Sequence, residues 1–150
     1  VFSYFLGISK LFPENQIFTG YHLNHLNIKE INEVSGVSGS CMLIDQELID
    51  DIGYFDEQYF AYQEDSDYCL RAINSGWKVY YNPKAVVIHK GGSGGSNSVP
   101  FRSIFEWHRS YIIYYFKHFS KDYGIIFNML YLVIMIGKLI FSEIFFLVRR

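Results

Sequence analysis

The sequence predicts an α/β fold, because short apolar runs typical of buried strands alternate with segments that carry helix start and stop signals. Half of the 150 residues are hydrophobic, including 13 Tyr and 14 Phe, which is enough to build a core. This length corresponds to one domain. We expect a main region over residues 1–100, an amphipathic helix over residues 101–122 and an apolar, membrane-associated helix over residues 123–150.

The first part of the chain contains a weakly patterned segment followed by a strand and a helix. In residues 1–34, Asn, His, Gly and Pro interrupt every apolar run, which predicts a long loop with short helical pieces. Residues 40–44 (SCMLI) are an apolar run between a glycine and an aspartate, which predicts a buried strand. Asp45 then caps a helix over residues 46–52, and Gly53 ends it.

A second helix and two further strands are predicted downstream. The helix extends from Gln63 to Asn74, and Gly76 occupies the position of a C-terminal cap. Two strand-like runs follow, over residues 77–81 and 85–89, and Asn82-Pro83 forms a turn between them.

The last part of the chain is predicted to be a loop and two helices. Residues 91–98 contain four Gly and three Ser, a composition typical of a flexible loop. Residues 101–119 place apolar side chains on one broad face at helical spacing. The tail from residue 123 to residue 148 is nearly all apolar.

Charge and cysteine content exclude several classes of protein. The formal charge is −2, whereas nucleic-acid binding normally requires a basic face. Cys41 and Cys69 have no CxxC partners for zinc and do not make a disulfide scaffold, so we expect two buried thiols in a reducing compartment. No signal peptide is evident, and the absence of a starting Met indicates a piece of a longer protein.

Three carboxylates, those of Glu64, Asp65 and Asp67, crowd into four positions at the predicted start of the second helix. One explanation is that acidic residues favour the first helical turn. The other is that a carboxylate is held ready to take a proton or to bind a metal. Arg71 lies four residues after Asp67, so these two are expected to pair along the helix surface.

His89 ends the last predicted strand and is followed directly by the glycine-serine loop. The end of a strand is where α/β proteins place their sites, and the loop residues Gly91, Gly92 and Ser93 offer N–H groups and a hydroxyl to phosphate oxygens. A structural histidine and a simple linker are the alternatives. The order of acidic cluster, strand, histidine and loop favours a site.

Four blocks in this order resemble the C-terminal portion of family 2 glycosyltransferases of the GT-A fold, especially the bacterial rhamnosyltransferase-like branch. The similarity covers roughly residues 34–120. The blocks are VSGSCMLI (residues 37–44), IGYFDEQYF (52–60), EDSDYCLRA (64–72) leading into GWKV (76–79), and PKAVVIH (83–89). The resemblance implies an α/β fold that is the C-terminal half of a Rossmann-like nucleotide-sugar transferase domain, followed by C-terminal helices.

The resemblance also implies a role for each candidate residue. Asp65 would be the general base that deprotonates the acceptor hydroxyl, so that the sugar is transferred with inversion, while Glu64 and Asp67 position or tune it. His89 would bind a divalent metal (Mg²⁺ or Mn²⁺) or the pyrophosphate. Gly39 and Ser40 would line the donor-sugar and acceptor side, although a glycine that merely starts a strand explains the first equally well.

The partners implied are a nucleotide-sugar donor, with dTDP-rhamnose suggested by the branch, and a glycan or lipid-linked acceptor of cell-wall or polysaccharide biosynthesis. The QxxRW motif of processive synthases is absent, which favours the addition of a single sugar. No Asp-x-Asp motif lies upstream of Gly36, so we expect the chain to lack the nucleotide-binding half and to be inactive alone.

The apolar tail has three interpretations. A spanning helix needs about 20 apolar residues, but Lys138 and Glu143 interrupt the run and share one side with Asn128, Tyr131 and Ser142. This pattern favours a helix lying in the membrane surface, at the cytoplasmic face, over a true span or a core or dimer helix. A non-catalytic membrane protein with an acidic helix cap is the alternative function. A calcium-binding EF-hand is excluded, because Leu70 stands where that loop requires glycine.

Overall fold

The computed structural model describes residues 26–90 and 99–149, and these residues form four α-helices and two short strands. In chain order they are β1 (Asn32–Val34), α1 (Gln46–Ile52), α2 (Glu64–Asn74), β2 (Val79–Tyr81), α3 (Pro100–His118) and α4 (Ile125–Val148). Two single 3₁₀ turns, Gly39–Cys41 and Ser120–Asp122, lie between them. Helices with a small sheet are compatible with the predicted α/β class.

The chain divides into two compact units. Among the described residues, the first comprises 26–34 and 80–86, and the second comprises 35–79, 87–90 and 99–149. Strands β1 and β2 pair as a two-stranded sheet, whereas all four helices belong to the second unit. The predicted loop over residues 1–34 lies largely outside the described residues, and its described end forms a turn and strand β1.

The helix boundaries follow the caps that the sequence predicts. The Asp45 carboxylate accepts a hydrogen bond from the Glu47 N–H at 2.9 Å at the start of α1, and Gly53 ends the helix at φ +78°. At the end of α2, Gly76 adopts φ +88°, and the Trp77 N–H donates to the Ala72 carbonyl at 3.0 Å. This is the Schellman arrangement, in which glycine occupies the left-handed position without steric cost. These three caps confirm the predicted helix ends.

Two predicted strands are absent from their expected positions. Residues 40–44 begin in the 3₁₀ turn and continue as unpaired chain, with Leu43 fully exposed. Residues 85–89 follow the predicted Asn82-Pro83 turn but remain irregular, and Ile88 is 92% exposed. A strand is stable only when its backbone groups are paired, and neither run pairs with another described segment. The predictions of strands at 40–44 and 85–89 are therefore wrong for this structure.

Helices α3 and α4 form an antiparallel hairpin with contacts along its whole length. The rings of Phe101 and Phe146 meet edge to face at 5.0 Å near one end. The Tyr115 and Tyr131 rings stack at 3.8 Å near the other. Among the described helices, α4 alone is long and apolar enough to cross a membrane. The predicted helices over 101–119 and 123–148 are confirmed to within two residues at each end.

Candidate active site

The candidate base, Asp65, lies in the first turn of α2 and is only partly buried. One carboxylate oxygen, Oδ2, accepts a hydrogen bond from the Gly39 N–H at 2.9 Å. The other, Oδ1, accepts from the Ser66 N–H at 2.7 Å and from the Ser66 hydroxyl at 3.3 Å. A carboxylate has about four acceptor positions, so a further donor can still bind. The side chain is thus fixed in place yet able to receive a proton.

The turn that contains Gly39 and Ser40 lies directly against this carboxylate. A Cβ atom added to Gly39 would meet the Asp65 Cβ at 3.4 Å, which is ordinary van der Waals contact. Gly39 therefore lies close to Asp65, although the turn would tolerate one additional methyl group at this position. The Ser40 hydroxyl is exposed and shares a hydrogen bond of 3.0 Å with the Ser38 hydroxyl. The structure thus brings two predicted site residues, Gly39 and Asp65, together across 26 positions of sequence.

The backbone immediately before the acidic cluster is strained. Tyr62 and Gln63 both adopt the left-handed conformation, at φ 67° and 65°. Such a conformation costs a non-glycine residue about 1–3 kcal/mol and persists only where the surroundings enforce it. Here the Ala61 carbonyl is held by the Ser110 hydroxyl at 2.7 Å, and the Gln63 carbonyl accepts from the Asp67 N–H at 2.8 Å. The two strained residues turn the chain sharply into α2 and so fix where its first turn begins.

Asp67 is completely buried and is surrounded by hydrogen-bond donors. Its carboxylate contacts Arg71 at 2.9 Å, Lys117 at 2.7 Å, His118 at 2.6 Å and the Tyr59 hydroxyl at 3.3 Å. Burial alone raises the pKa of this carboxyl, but the hydrogen bonds from Lys117, His118 and Arg71 outweigh burial and hold the pKa below its usual range.

These contacts correct one expectation about Asp67. The pair with Arg71 is present, but it does not lie on the helix surface as predicted, because the carboxylate is 0% exposed. An ionised carboxylate whose oxygens are all engaged has no free position for an incoming hydroxyl. Its geometry is that of a structural hub that joins α2 to the end of α3.

Glu64 behaves differently from both aspartates. One of its carboxylate oxygens, Oε2, is buried and has no hydrogen-bonding partner among the described residues. Buried polar atoms are normally paired, so an unpaired oxygen beside Asp65 is a notable exception. The fold encloses this oxygen, so it is not open to an incoming molecule.

The loop that precedes the acidic cluster, residues 53–62, is held by side chains at many points, and we call it the clamped loop. From α2, the Tyr68 hydroxyl donates to the Gly53 carbonyl at 3.0 Å and Arg71 donates to the Tyr54 carbonyl at 2.7 Å. From α3, Arg109 donates to the Gln58 carbonyl at 2.9 Å. Further contacts come from Lys117, which reaches Asp56 at 2.6 Å, and from Ser110. These contacts fix the segment that leads into Asp65.

Sequence analysis missed the contribution of α3 to this region. Lys117 and His118 lie about 50 positions from Asp67, and nothing in local spacing connects them. Tyr114 of α3 is a further residue near this cluster that sequence analysis missed. Burial is the main cause that raises the pKa of its hydroxyl, and the charges of Asp67 and Asp65 raise it further. The only sequence signal was the basic end of a long helix, which also serves simply to complement the helix dipole.

The predicted phosphate and metal residues are not assembled in the described part of the chain. His89 is exposed and lies in irregular chain rather than at a strand end. Gly91, Gly92 and Ser93 lie outside the described residues. Residues 26–90 and 99–149 contain no group of three His, Cys, Asp or Glu side chains able to hold a metal ion. The expected Mg²⁺ or Mn²⁺ site is therefore not seen among the described residues.

Comparison with known proteins gives an independent view of the same segment. Residues 21–110 match the model of the family described as glycosyltransferase like family 2. The chain is 34% identical over 82 residues to the N-acetylglucosaminyl-diphospho-decaprenol L-rhamnosyltransferases of two Mycobacterium tuberculosis strains, CDC 1551 / Oshkosh and ATCC 25618 / H37Rv. The match covers 55% of this chain and 26% of each relative. No solved structure matches the chain.

Proposed function

This chain belongs to the glycosyltransferase-like family 2, and we propose that it activates the acceptor in an inverting transferase that moves one sugar from a nucleotide donor. The observation that carries the proposal is the Asp65 carboxylate. It is held by the Gly39 N–H at 2.9 Å and by Ser66, yet it remains partly exposed at the start of α2. A general base must be both fixed and accessible, and Asp65 meets both requirements.

In the proposed reaction, Asp65 accepts the proton of the acceptor hydroxyl. The acceptor oxygen forms a bond to the anomeric carbon from the face opposite the nucleotide, and the bond to the nucleoside diphosphate breaks with its electron pair leaving on the diphosphate. The configuration at the anomeric carbon is thereby inverted. Glu64 and Asp67 would position Asp65 at the start of α2.

We further propose the classes of donor and acceptor. The relatives are L-rhamnosyltransferases whose name specifies a decaprenol-linked diphosphosugar, which supports an L-rhamnosyl nucleotide donor and a lipid-linked acceptor for this chain. Such an acceptor requires a membrane, and helix α4 presents an apolar surface of the required kind. Both thiols are free, Cys69 buried as expected and Cys41 exposed, and free thiols support the cytoplasmic face, where they remain reduced. His89 and the adjacent loop would then meet the diphosphate of the donor.

The role of Asp65 is tested by replacing it with asparagine in the protein that carries this chain. Asp65→Asn preserves an oxygen for the Gly39 N–H but removes the ability to accept a proton. We expect the release of nucleoside diphosphate in the presence of acceptor to fall by about 10²–10⁴-fold. Asp45→Asn, which changes an exposed helix cap in the same way, is the matched control and should retain activity.

A second candidate function rests on the same contacts. Because the Asp65 oxygens bind the N–H groups of Gly39 and Ser66, the residue also fits a purely structural role, in which its carboxylate ties the first turn of α2 to Gly39 in a non-catalytic membrane-associated protein. The two candidates differ in the effect of Asp65→Asn, since asparagine keeps an oxygen acceptor but cannot act as a base. Unchanged turnover in that variant would favour the structural role.

A further inference from the structure

The polar and apolar residues of α4 lie on different sides of the helix. The residues that are at least partly buried fall within an arc of about 120° at 100° per residue. They are Asn128, Tyr131, Leu132, Met135, Leu139, Ser142, Glu143 and Phe146. Every exposed residue of α4 except Lys138 is apolar or glycine. We call this exposed side the outer face; it includes Ile126, Val133, Ile134, Phe141 and Ile144, each more than half exposed.

The polar groups of α4 are directed at α3. The Tyr115 hydroxyl donates to the Asn128 side-chain oxygen at 2.5 Å, and the Tyr131 hydroxyl donates to the Tyr111 carbonyl at 3.1 Å. The Lys138 ammonium lies 4.1 Å from the centre of the Trp107 ring. Asn128, Tyr131 and Lys138 therefore have partners on α3, and no polar side chain of the outer face requires hydration. Its apolar surface is continuous over the whole helix, about 36 Å at 1.5 Å per residue.

The opposite side of α3 is occupied by the candidate active site. Arg109 and Ser110 bind carbonyls of the clamped loop, and Lys117 and His118 bind Asp67. Helix α3 is thus a single layer, about 10 Å thick, between α4 and the segment that leads into Asp65. The order of layers is outer face, α4, α3, clamped loop.

The order of these layers determines how α4 can insert into a membrane. If α4 crossed the bilayer, α3 would cross beside it, because the two helices are in contact from Phe101 and Phe146 to Tyr115 and Asn128. That would carry Arg102, Glu106, Arg109 and Lys117 into the hydrocarbon, together with the clamped loop and its backbone, and each charged side chain is costly there. Lying flat avoids this cost and still covers the outer face.

We infer that the α3–α4 hairpin lies flat in one leaflet of a lipid bilayer, with the outer face of α4 immersed and α3 supporting the candidate active site above it. The partner is the bilayer itself, which rests on the proposed function for its role as the carrier of a lipid-linked acceptor. Interfacial helices immerse their apolar face by about 5–10 Å. The clamped loop lies two helix layers, roughly 20 Å, above the outer face. At this immersion the segment that leads into Asp65 stands roughly 10–15 Å above the immersed surface, on the side where the sugar of a lipid-linked acceptor extends from the membrane.

The depth of α4 can be measured with single fluorophores. On a Cys41→Ser background, Ile126→Cys, Val133→Cys and Ile144→Cys place a label at three points of the outer face, the outer two about 27 Å apart along the helix. The complete protein is bound to vesicles of phosphatidylcholine and phosphatidylglycerol that carry quenchers at known depths on the acyl chains. We expect the three labels to report the same shallow depth. Glu57→Cys, on the clamped loop, should not be quenched.

Two results would overturn the inference. A label at Val133 much deeper than those at Ile126 and Ile144 would show a spanning helix. Three unquenched labels whose emission instead depends on protein concentration would show a second copy of the chain on the outer face.

Binding itself is tested by changing the outer face. Ile134→Glu combined with Phe141→Glu should reduce the vesicle-bound fraction by tenfold or more, whereas Leu43→Glu, the same change at a fully exposed residue outside α4, should leave it unchanged. Helix content measured by circular dichroism verifies that the variants are folded. Equal loss of binding in both variants would contradict the inference. Because Asp65→Asn leaves the outer face intact, loss of sugar transfer and loss of flat insertion are observed separately.

Discussion

At the scale of single residues, three acidic side chains within four positions have three different environments. Asp65 is tied by N–H donors but accessible, Glu64 has one buried oxygen without a partner among the described residues, and Asp67 is fully buried among cations. The sequence predicted the cluster and its place at a helix start. It could not predict which acid is accessible, because the cations around Asp67 come from α3, about 50 residues further along the chain.

The buried carboxylate of Asp67 leads to a prediction about stability and pH. Its pKa is lowered in the folded protein, so it contributes stability that is present above the unfolded value of about 3.9 and is lost as the pH falls toward the lower folded value. Asp67→Asn leaves Lys117 and Arg71 without their shared anion and should lower the free energy of unfolding at pH 7 by about 3–5 kcal/mol.

This change is measured by urea unfolding between pH 7 and pH 3. The wild-type protein should lose stability as the solution is acidified through this range, and Asp67→Asn should flatten that decline. Asp65→Asn, two positions earlier on the same helix, is the control and should unfold nearly as the wild type does. An Asp67→Asn protein as stable as wild type at pH 7 would show that the contacts of the Asp67 carboxylate do not stabilise the fold.

At the scale of elements, local signals predicted the helices and failed for the strands. Asp45, Gly53 and Gly76 act through hydrogen bonds within a few residues, so their effect is visible in the sequence. The runs 40–44 and 85–89 have strand-like composition, but pairing depends on a partner that local sequence does not specify. The same limit applies to the site: the acidic first turn that contains Asp65 was predictable, whereas the hydrogen bond from Gly39, 26 residues away, became known only from the structure.

The 3₁₀ turn at Gly39 provides a test of how Asp65 is positioned. Gly39→Pro removes the N–H that binds Asp65 and places the ring Cδ where the hydrogen stood, so the Asp65 carboxylate must turn away, while the backbone of the turn itself accepts proline. Proline is favoured at the first position of a helix, and Ser38 already has the extended conformation required before proline (φ −74°, ψ 137°). A hydrogen bond to a charged group contributes about 1.5–3 kcal/mol, so we expect transfer to fall by about tenfold or more.

Gly39→Ala is the matched control for this change. Its Cβ would only touch Asp65, at 3.4 Å, and its N–H is preserved, so transfer should remain near the wild-type rate. Both variants are compared by nucleoside diphosphate release and by thermal unfolding. If alanine and proline reduce activity equally, the effect arises from crowding of the turn rather than from the lost hydrogen bond.

At the scale of the whole second unit, helix α3 serves two surfaces at once. One side binds the clamped loop and Asp67, and the other binds the polar groups of α4. Although the sequence predicted an amphipathic helix here, α3 is covered on two sides, because its polar groups are used for contacts within the protein rather than for hydration. The proposed acceptor activation and the proposed membrane binding would therefore both depend on α3.

If α3 supports the two sites on different sides, sugar transfer and membrane binding can be abolished by separate substitutions. Lys117 bridges Asp56 at 2.6 Å and Asp67 at 2.7 Å on the active-site side, so Lys117→Met should lower transfer severalfold while leaving vesicle binding intact. Ile134→Glu with Phe141→Glu should do the reverse when the acceptor is a short, water-soluble analogue, because the outer face lies away from Asp65. The measurements are nucleoside diphosphate release and vesicle co-sedimentation on the same preparations. Loss of both transfer and vesicle binding in either variant would mean that the α3–α4 hairpin and the acidic cluster depend on each other for folding. The order of layers would then have no separate effect on function.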